Sequence, residues 1–300
     1  MSALTFAVLA LALVGPVPAV LARASWPLRA PRAAVVLWQS IAAAAVLSAF
    51  SAGLAVGGRL LVTDEISMLG WPLWLAHVLT FAVTLLIGAR LFAAVLQVGI
   101  ATRRRRAHHR MLVDLLGDPH GGANGLRVLR VSEPLAYCLP GVRSRVVLSE
   151  GTLAALSLSE LHAILRHERA HLRARHDLVL EAFVALHTAF PRFVRSGSAL
   201  YAVSLLVELL ADDAAVRTTG PGPLARALVA CASGPIPAGA LAAGGPTTLV
   251  RVRRLNGRPN SLWLSFAAYT AAAAVLVVPT VAFAIPWLTE LHRLFLAHYH

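Results

Sequence analysis

Four stretches of the chain are long, apolar and almost free of charge: Ser2–Ala22, Ala33–Gly58, Trp71–Ala101 and Ser261–Thr289. A helix needs roughly 20 such residues to cross a ~30 Å hydrocarbon core, so each is long enough to span a bilayer. Inside hydrocarbon each backbone N–H and C=O must find its partner within the segment, and unbroken runs of this length do so as helices. The composition agrees. Hydrophobic residues make up 58% of the chain and charged ones 14%, against about 25% charged residues in soluble domains. A wholly water-soluble globule and a disordered chain are both excluded. Cys138 and Cys231, the 2 cysteines, cannot build a disulfide scaffold or a cysteine-only zinc site.

The first stretch begins Met1-Ser2-Ala3-Leu4-Thr5-Phe6, without the basic start of a signal peptide, and is read as a retained span kinked by Pro16 and Pro18. Gly53 and Gly57 form a GxxxG pair suited to helix packing. Arg90, toward the basic end of the third stretch, is expected to snorkel to the headgroups. Arginines gather in three connections: Arg23, Arg29 and Arg32; Arg103–Arg106; and Arg251, Arg253, Arg254 and Arg258. The remaining connection sets Arg59 against Asp64 and Glu65. Basic connections stay cytoplasmic, and all three agree on an N-terminus outside. The expected organisation is three transmembrane helices within 1–101 (about 2–22, 33–58 and 71–101), a cytoplasmic domain over 102–260, a fourth transmembrane helix over 261–289 and a short extracytoplasmic tail over 290–300. Membrane-flanking arginines in contact with lipid account for the net charge of +13 without direct nucleic-acid binding. A homo-oligomer is compatible with the sequence.

In the cytoplasmic segment, Gly121–Gly125 reads as a turn cluster. Leu126–Val131 and Arg145–Leu148 read as strands of a hairpin or small edge sheet around Pro134 and Pro140-Gly141. Ser157-Leu158-Ser159-Glu160 has capping-box spacing and opens a helix running to about Arg175. Apolar helices are expected at about Leu178–Phe190 and Ala199–Val216; carboxylates at Glu181 and Glu208 interrupt them, so core or membrane-surface packing suits them better than spanning. Gly234–Pro246 reads as a linker. The fold class is therefore mainly α: a polytopic membrane protein with about four transmembrane helices and an α-rich domain bearing a small β element.

On the Ser157 helix stands His167-Glu168-Arg169-Ala170-His171, an HExxH. Positions i and i+4 share a helix face, so two imidazoles can grip one zinc ion. Glu168, a step round the helix, can take a proton from the water that zinc activates. The competing reading is a charged helix face with two ordinary histidines. A third ligand is required. A metzincin would need glycine at position 174 and histidine at position 177, where Ala174 and Asp177 stand, and Asp177 stays an alternative ligand. Glu208 on a separate apolar helix is the better third ligand, with Asp212 one turn on to hold the outer nitrogen of a ligating imidazole. His162 and His176 are expected to face solvent or cap, and His187 to be structural. Arg166, Arg169, Arg173 and Arg175 around the motif keep it out of hydrocarbon.

The segments Glu133-Pro134-Leu135-Ala136-Tyr137, Val146-Val147-Leu148-Ser149, Leu158 through His171, and Glu208-Leu209-Leu210-Ala211-Asp212 together resemble the BlaR/MecR-type family of membrane zinc metallopeptidases. The resemblance covers most of Leu126–Val216. It implies one catalytic zinc ion held by His167, His171 and Glu208, Glu168 as catalytic base, and Asp212 as the accompanying acid. It also implies residence in a bacterial plasma membrane and a cytoplasmic substrate such as a BlaI-type transcriptional repressor. The penicillin-binding sensor of that family is not expected here, since 290–300 contains no Ser-x-x-Lys. Tyr137 and Tyr201 are the tyrosines considered as oxyanion donors, and edge pairing by the strand region is considered for substrate alignment. Two other readings remain: an HtpX/Ste24-type quality-control protease, and a non-catalytic membrane signalling scaffold.

Overall fold

The computed structural model of the protein describes residues 3–62, 70–119, 125–190, 197–233, 241–242, 247–257 and 260–298. The connection holding Asp64 and Glu65, most of the Gly121–Gly125 turn, most of the Gly234–Pro246 linker, and Arg258 lie outside the described residues. Four helical segments are long and apolar enough to cross a membrane: Leu4–Arg23, Pro31–Gly53, Trp71–Leu116 and Leu262–Ala282. The first is two helices, α1 (Ala3–Val14) and α2 (Pro16–Arg23). They break at Gly15, because Pro16 has no N–H to continue the ladder. The second belongs to α3 (Pro31–Val62), which packs against α1. An added Cβ at Gly53 would collide with the Thr84 side chain, so this glycine permits the close approach of α3 to the next helix.

That helix, α4, runs unbroken from Trp71 to Leu116 over 46 residues. At 1.5 Å per residue it is about 69 Å long, twice the hydrocarbon thickness. It therefore continues through Arg103–Arg106 as a stalk along the next domain. Arg106 turns inward there, with Nη1 at 3.0 Å from Asp177 and 3.6 Å from Glu181.

A five-stranded sheet follows: β1 (Asp118–Pro119), β2 (Leu126–Leu129), β3 (Ala136–Leu139), β4 (Arg145–Ser149) and β5 (Leu241–Ala242), in the order β1-β2-β4-β3-β5. Of the two forms expected, a hairpin or a small edge sheet, the chain forms a small sheet: β2 and β4 pair in parallel, and β3 pairs antiparallel with β4. The segment between Pro134 and Pro140 is itself a strand, buried at all four positions. Ser149 ties this region together. Its hydroxyl donates to the Glu133 carbonyl at 2.6 Å and accepts from Leu135 N–H and Thr152 N–H, capping α5 (Glu150–Ala155).

Helix α6 (Leu158–Ala174) begins at Ser157 with both capping-box bonds formed. It ends at Arg175, a non-glycine residue in the left-handed region (φ 52°). That conformation costs roughly 1–2 kcal/mol and reverses the chain at once into α7 (His176–Ala189). Helix α8 (Gly197–Thr219) packs back against α6 and α7. The apolar α7–α8 pair does not merely lie in a core: α7 packs on α4 and α8 on α3, so the hairpin is held between the spans. Its base is α9 (Pro221–Ala230) and α10 (Thr248–Leu255); α11 (Leu262–His298) returns along α3. Arg90 also has a partner within the protein. Its Nε donates to the Ala189 carbonyl at 3.1 Å and caps the C-terminal end of α7, where carbonyls lack helical partners and cations are favoured.

Candidate metal centre

The buried residues of α6 are Ala163, Ile164, His167, Glu168 and His171, a stripe at three- and four-residue spacing. The apolar members seat the helix against the sheet and α9, and this drives the polar ones inside with them. Facing them, α8 presents Glu208 and, one turn on, Asp212. His167 Nε2 and His171 Nε2 lie 3.1 Å apart. Glu208 places Oε2 at 3.4 Å from the first and Oε1 at 3.5 Å from the second. A tetrahedral zinc ion with bonds of about 2.0–2.1 Å sets its ligand atoms about 3.3–3.4 Å apart, so the spacing is that of a metal cage. Among the described residues, His167, His171 and Glu208 form the group able to hold a metal ion.

The outer nitrogens have partners too. His167 Nδ1 is 3.0 Å from Asp212 Oδ1, a charge contact lying off the line of a good hydrogen bond. His171 Nδ1 is 3.1 Å from His176 Nδ1. Burial lowers the pKa of both His171, to about 3, and His176, so each is neutral and one donates to the other. With His171 as the donor of that bond, its Nε2 is left free to bind a metal. At His167 burial opposes the charged form, but Asp212 and Glu208 outweigh it and hold the pKa up to about 9.

His176 thus corrects its expected solvent-facing role: the left-handed Arg175 turn folds it back under the motif. Asp177 lies outside the group of His167, His171 and Glu208; it is buried and pairs with Arg106. His162 is exposed and accepts from Arg166 Nε at 3.1 Å. Tyr137 is no oxyanion donor. Alternation along β3 turns Cys138 toward α6 and Tyr137 toward α4, where its hydroxyl hydrogen-bonds His109 at 3.0 Å. Tyr201 is exposed on α8.

Arg251 escaped the sequence reading, which grouped it with the membrane-flanking arginines. It is 1% exposed and forms two bonds to Asp212, Nε–Oδ2 at 2.9 Å and Nη2–Oδ1 at 2.6 Å. Its Nη1 lies 2.9 Å from Glu208 Oε2. One guanidinium therefore holds both Glu208 and Asp212 in place. Arg254, one turn along α10, pairs likewise with Asp213 and reaches the Leu28 carbonyl. The available signal was the adjacent pair Asp212-Asp213, whose burial demands two cations. Replacing Asp212 by asparagine is expected to weaken zinc binding about 10–100-fold, read by competition with a chromophoric chelator.

Glu168 is fully buried, and among the described residues neither carboxylate oxygen has an N–H or O–H partner; the weak thiol donor of Cys138 stands beside it. Burial pushes its pKa up to about 7. Unpaired buried carboxylates are expensive and concentrate at functional sites. Burial, then the charge of Glu168, raises the thiol pKa of Cys138 well above its ordinary range and that of Cys231 to about 11. Both cysteines are free and buried. Neither is expected to react with maleimide at pH 8 in the folded protein, and both are expected to react in denaturant, as mass spectrometry would show.

A histidine pair on one helix, a glutamate donor on a second and an unpaired glutamate between them describe the metallopeptidases that take their third ligand from a separate helix. The chain belongs to peptidase family M48, a family of membrane-associated zinc metallopeptidases, whose model matches residues 101–259. Comparison with curated proteins and with solved structures gave no match. The broad part of the resemblance drawn from the motifs therefore stands. The match names M48 and not the BlaR/MecR type.

Proposed function

We propose that the chain is a membrane-anchored zinc endopeptidase in which His167, His171 and Glu208 hold the metal and Glu168 is the general base. The observation that carries this reading is the unpaired, buried Glu168 beside a three-donor cage of tetrahedral spacing. Bound zinc supplies Lewis acidity, polarising a peptide carbonyl and lowering the pKa of water toward ~7. Glu168 then accepts a proton from the attacking water on a carboxylate oxygen and delivers it to the departing amine nitrogen. Asp212 and His176 hold the two imidazoles in the tautomer that offers Nε2, and Arg251 keeps Glu208 turned toward them. No covalent enzyme intermediate is needed.

The substrate is proposed to be a cytoplasmic or membrane-proximal protein, with the N-terminus of the chain outside the cell. The orientation rests on Arg23, Arg29, Arg32 and Arg103–Arg105 beside the spans, while Arg251 and Arg254 pair with Asp212 and Asp213. The M48 match is compatible with the HtpX/Ste24 type, which acts in membrane-protein quality control; cleavage of one BlaI-type repressor has only the motif resemblance behind it. The β3 edge beside Glu168 carries Leu241–Ala242 of the chain itself. Edge pairing by a substrate requires this short segment to give way. The test is hydrolysis of an unfolded polypeptide by the full chain in proteoliposomes. Cleavage is expected to stop with a zinc chelator and return with zinc. Absence of cleavage with zinc supplied, across several unfolded substrates, contradicts the reading.

A further inference from the structure

Away from the metal centre, a cavity of about 610 Å³ opens among α1, α2, α3, α4 and the α7–α8 hairpin. Its size falls in the range of small-molecule sites. Its wall is apolar but for two ionisable residues among the described ones, Arg90 and His187. Arg90 uses Nε on the Ala189 carbonyl, and no carboxylate among the described residues lies within ion-pair reach of it. His187 Nδ1 is buried without a partner. Arg90 stands 19 residues beyond Trp71 on α4, about 28 Å along the axis. Trp71 is highly exposed, as expected of an interfacial anchor. With Trp71 at one boundary, Arg90 sits at the other, on the side of the peptidase domain.

We propose that this cavity is a lipid site: it takes one acyl chain of an anionic phospholipid, with the phosphate on Arg90 and His187. An apolar void offers water no partners, and an unfilled one forfeits contacts along its whole wall. The hydrocarbon around the spans supplies the filling. The cation at the boundary selects among lipids, since a guanidinium matches phosphate geometry and anionic headgroups are attracted to basic residues there. Leu200 of α8 lines the cavity eight residues before Glu208 on the same helix, about 12 Å away. Lipid in the cavity thus braces the helix that presents the third metal donor.

The test uses the full chain in phosphatidylcholine nanodiscs doped with a lipid carrying a photoactivatable acyl chain, with either a phosphatidylglycerol or a phosphatidylcholine headgroup. Adducts are mapped by mass spectrometry. Labelling of α3, α4 and α7 residues that line the cavity is expected, about fivefold stronger for the anionic headgroup. Ala49→Phe, which fills the cavity, is expected to abolish that labelling; Arg90→Gln is expected to remove only the headgroup preference. Circular dichroism checks that each variant is folded. Should Arg90→Gln not fold, the wild-type headgroup comparison and Ala49→Phe decide alone. Cavity labelling that is absent, indifferent to headgroup, or unchanged in Ala49→Phe overturns the proposal. Binding is read without any activity, so it stands or falls separately from the peptidase reading; only an effect of lipid on hydrolysis rests on that reading.

Discussion

Glu168→Gln is expected to lower the rate of peptide hydrolysis by about 10²–10⁴, the usual contribution of a positioned general base, while leaving the bound zinc unchanged. Glutamine keeps the shape of the side chain but cannot accept the proton. A second readout separates this from a structural effect. In the metal-free protein, burial lifts the Glu168 pKa from 4.5 to about 7. Between those values the folded chain holds a proton that the unfolded chain has released. The stability that Glu168 contributes therefore falls as pH rises from about 4.5 to about 7 and levels off above. This contribution amounts to at most about 3 kcal/mol and is missing from the glutamine variant. Thermal unfolding in detergent with chelator present should show the wild type losing about that much stability relative to Glu168→Gln between pH 4.5 and 7. Identical pH dependence in the two proteins would mean that Glu168 is not the unpaired carboxylate described, and an active Glu168→Gln would remove it from the chemistry.

Arg251→Ala is expected to cost about 3–5 kcal/mol, the penalty for stranding buried charge. The variant leaves both the buried Asp212 and the largely buried Glu208 without their guanidinium. Against a total stability of about 5–15 kcal/mol, such a loss should appear as poor accumulation in the membrane or a large drop in Tm, with zinc lost in whatever protein remains. Arg251→Lys keeps the charge but cannot bridge two carboxylates with a planar fork, so it should fall between. Arg253→Ala is the control, because Arg253 is exposed on the same helix. Equal effects at positions 251 and 253 would reduce Arg251 to a surface charge.

Those expectations also mark where the sequence was informative. HExxH, the capping box at Ser157 and the Glu208–Asp212 spacing are local patterns, and helix periodicity alone places their side chains on facing surfaces. The four spans are legible because hydrocarbon admits so few backbone solutions. Arg251, Arg90 and His176 were not legible, each for its own physical reason. An arginine beside a span reads the same whether it faces lipid or a buried acid, and only the packing of α10 on α8 separates the cases. Arg90 is explained by a carbonyl 99 positions away. His176 depends on one left-handed residue that no glycine announces. The parallel pairing of β2 and β4 was hidden because the intervening strand, Ala136–Leu139, is only four residues long and lies between two prolines.

The central claim is that three donors from two helices make one zinc site. The most direct measurement is zinc per chain in the detergent-purified protein, wild type beside His171→Ala and Glu208→Ala, with circular dichroism to confirm folding. The account predicts close to one zinc per wild-type chain and little in either variant. A wild type that stays metal-free after zinc is supplied, or a folded Glu208→Ala that keeps its zinc, would contradict it.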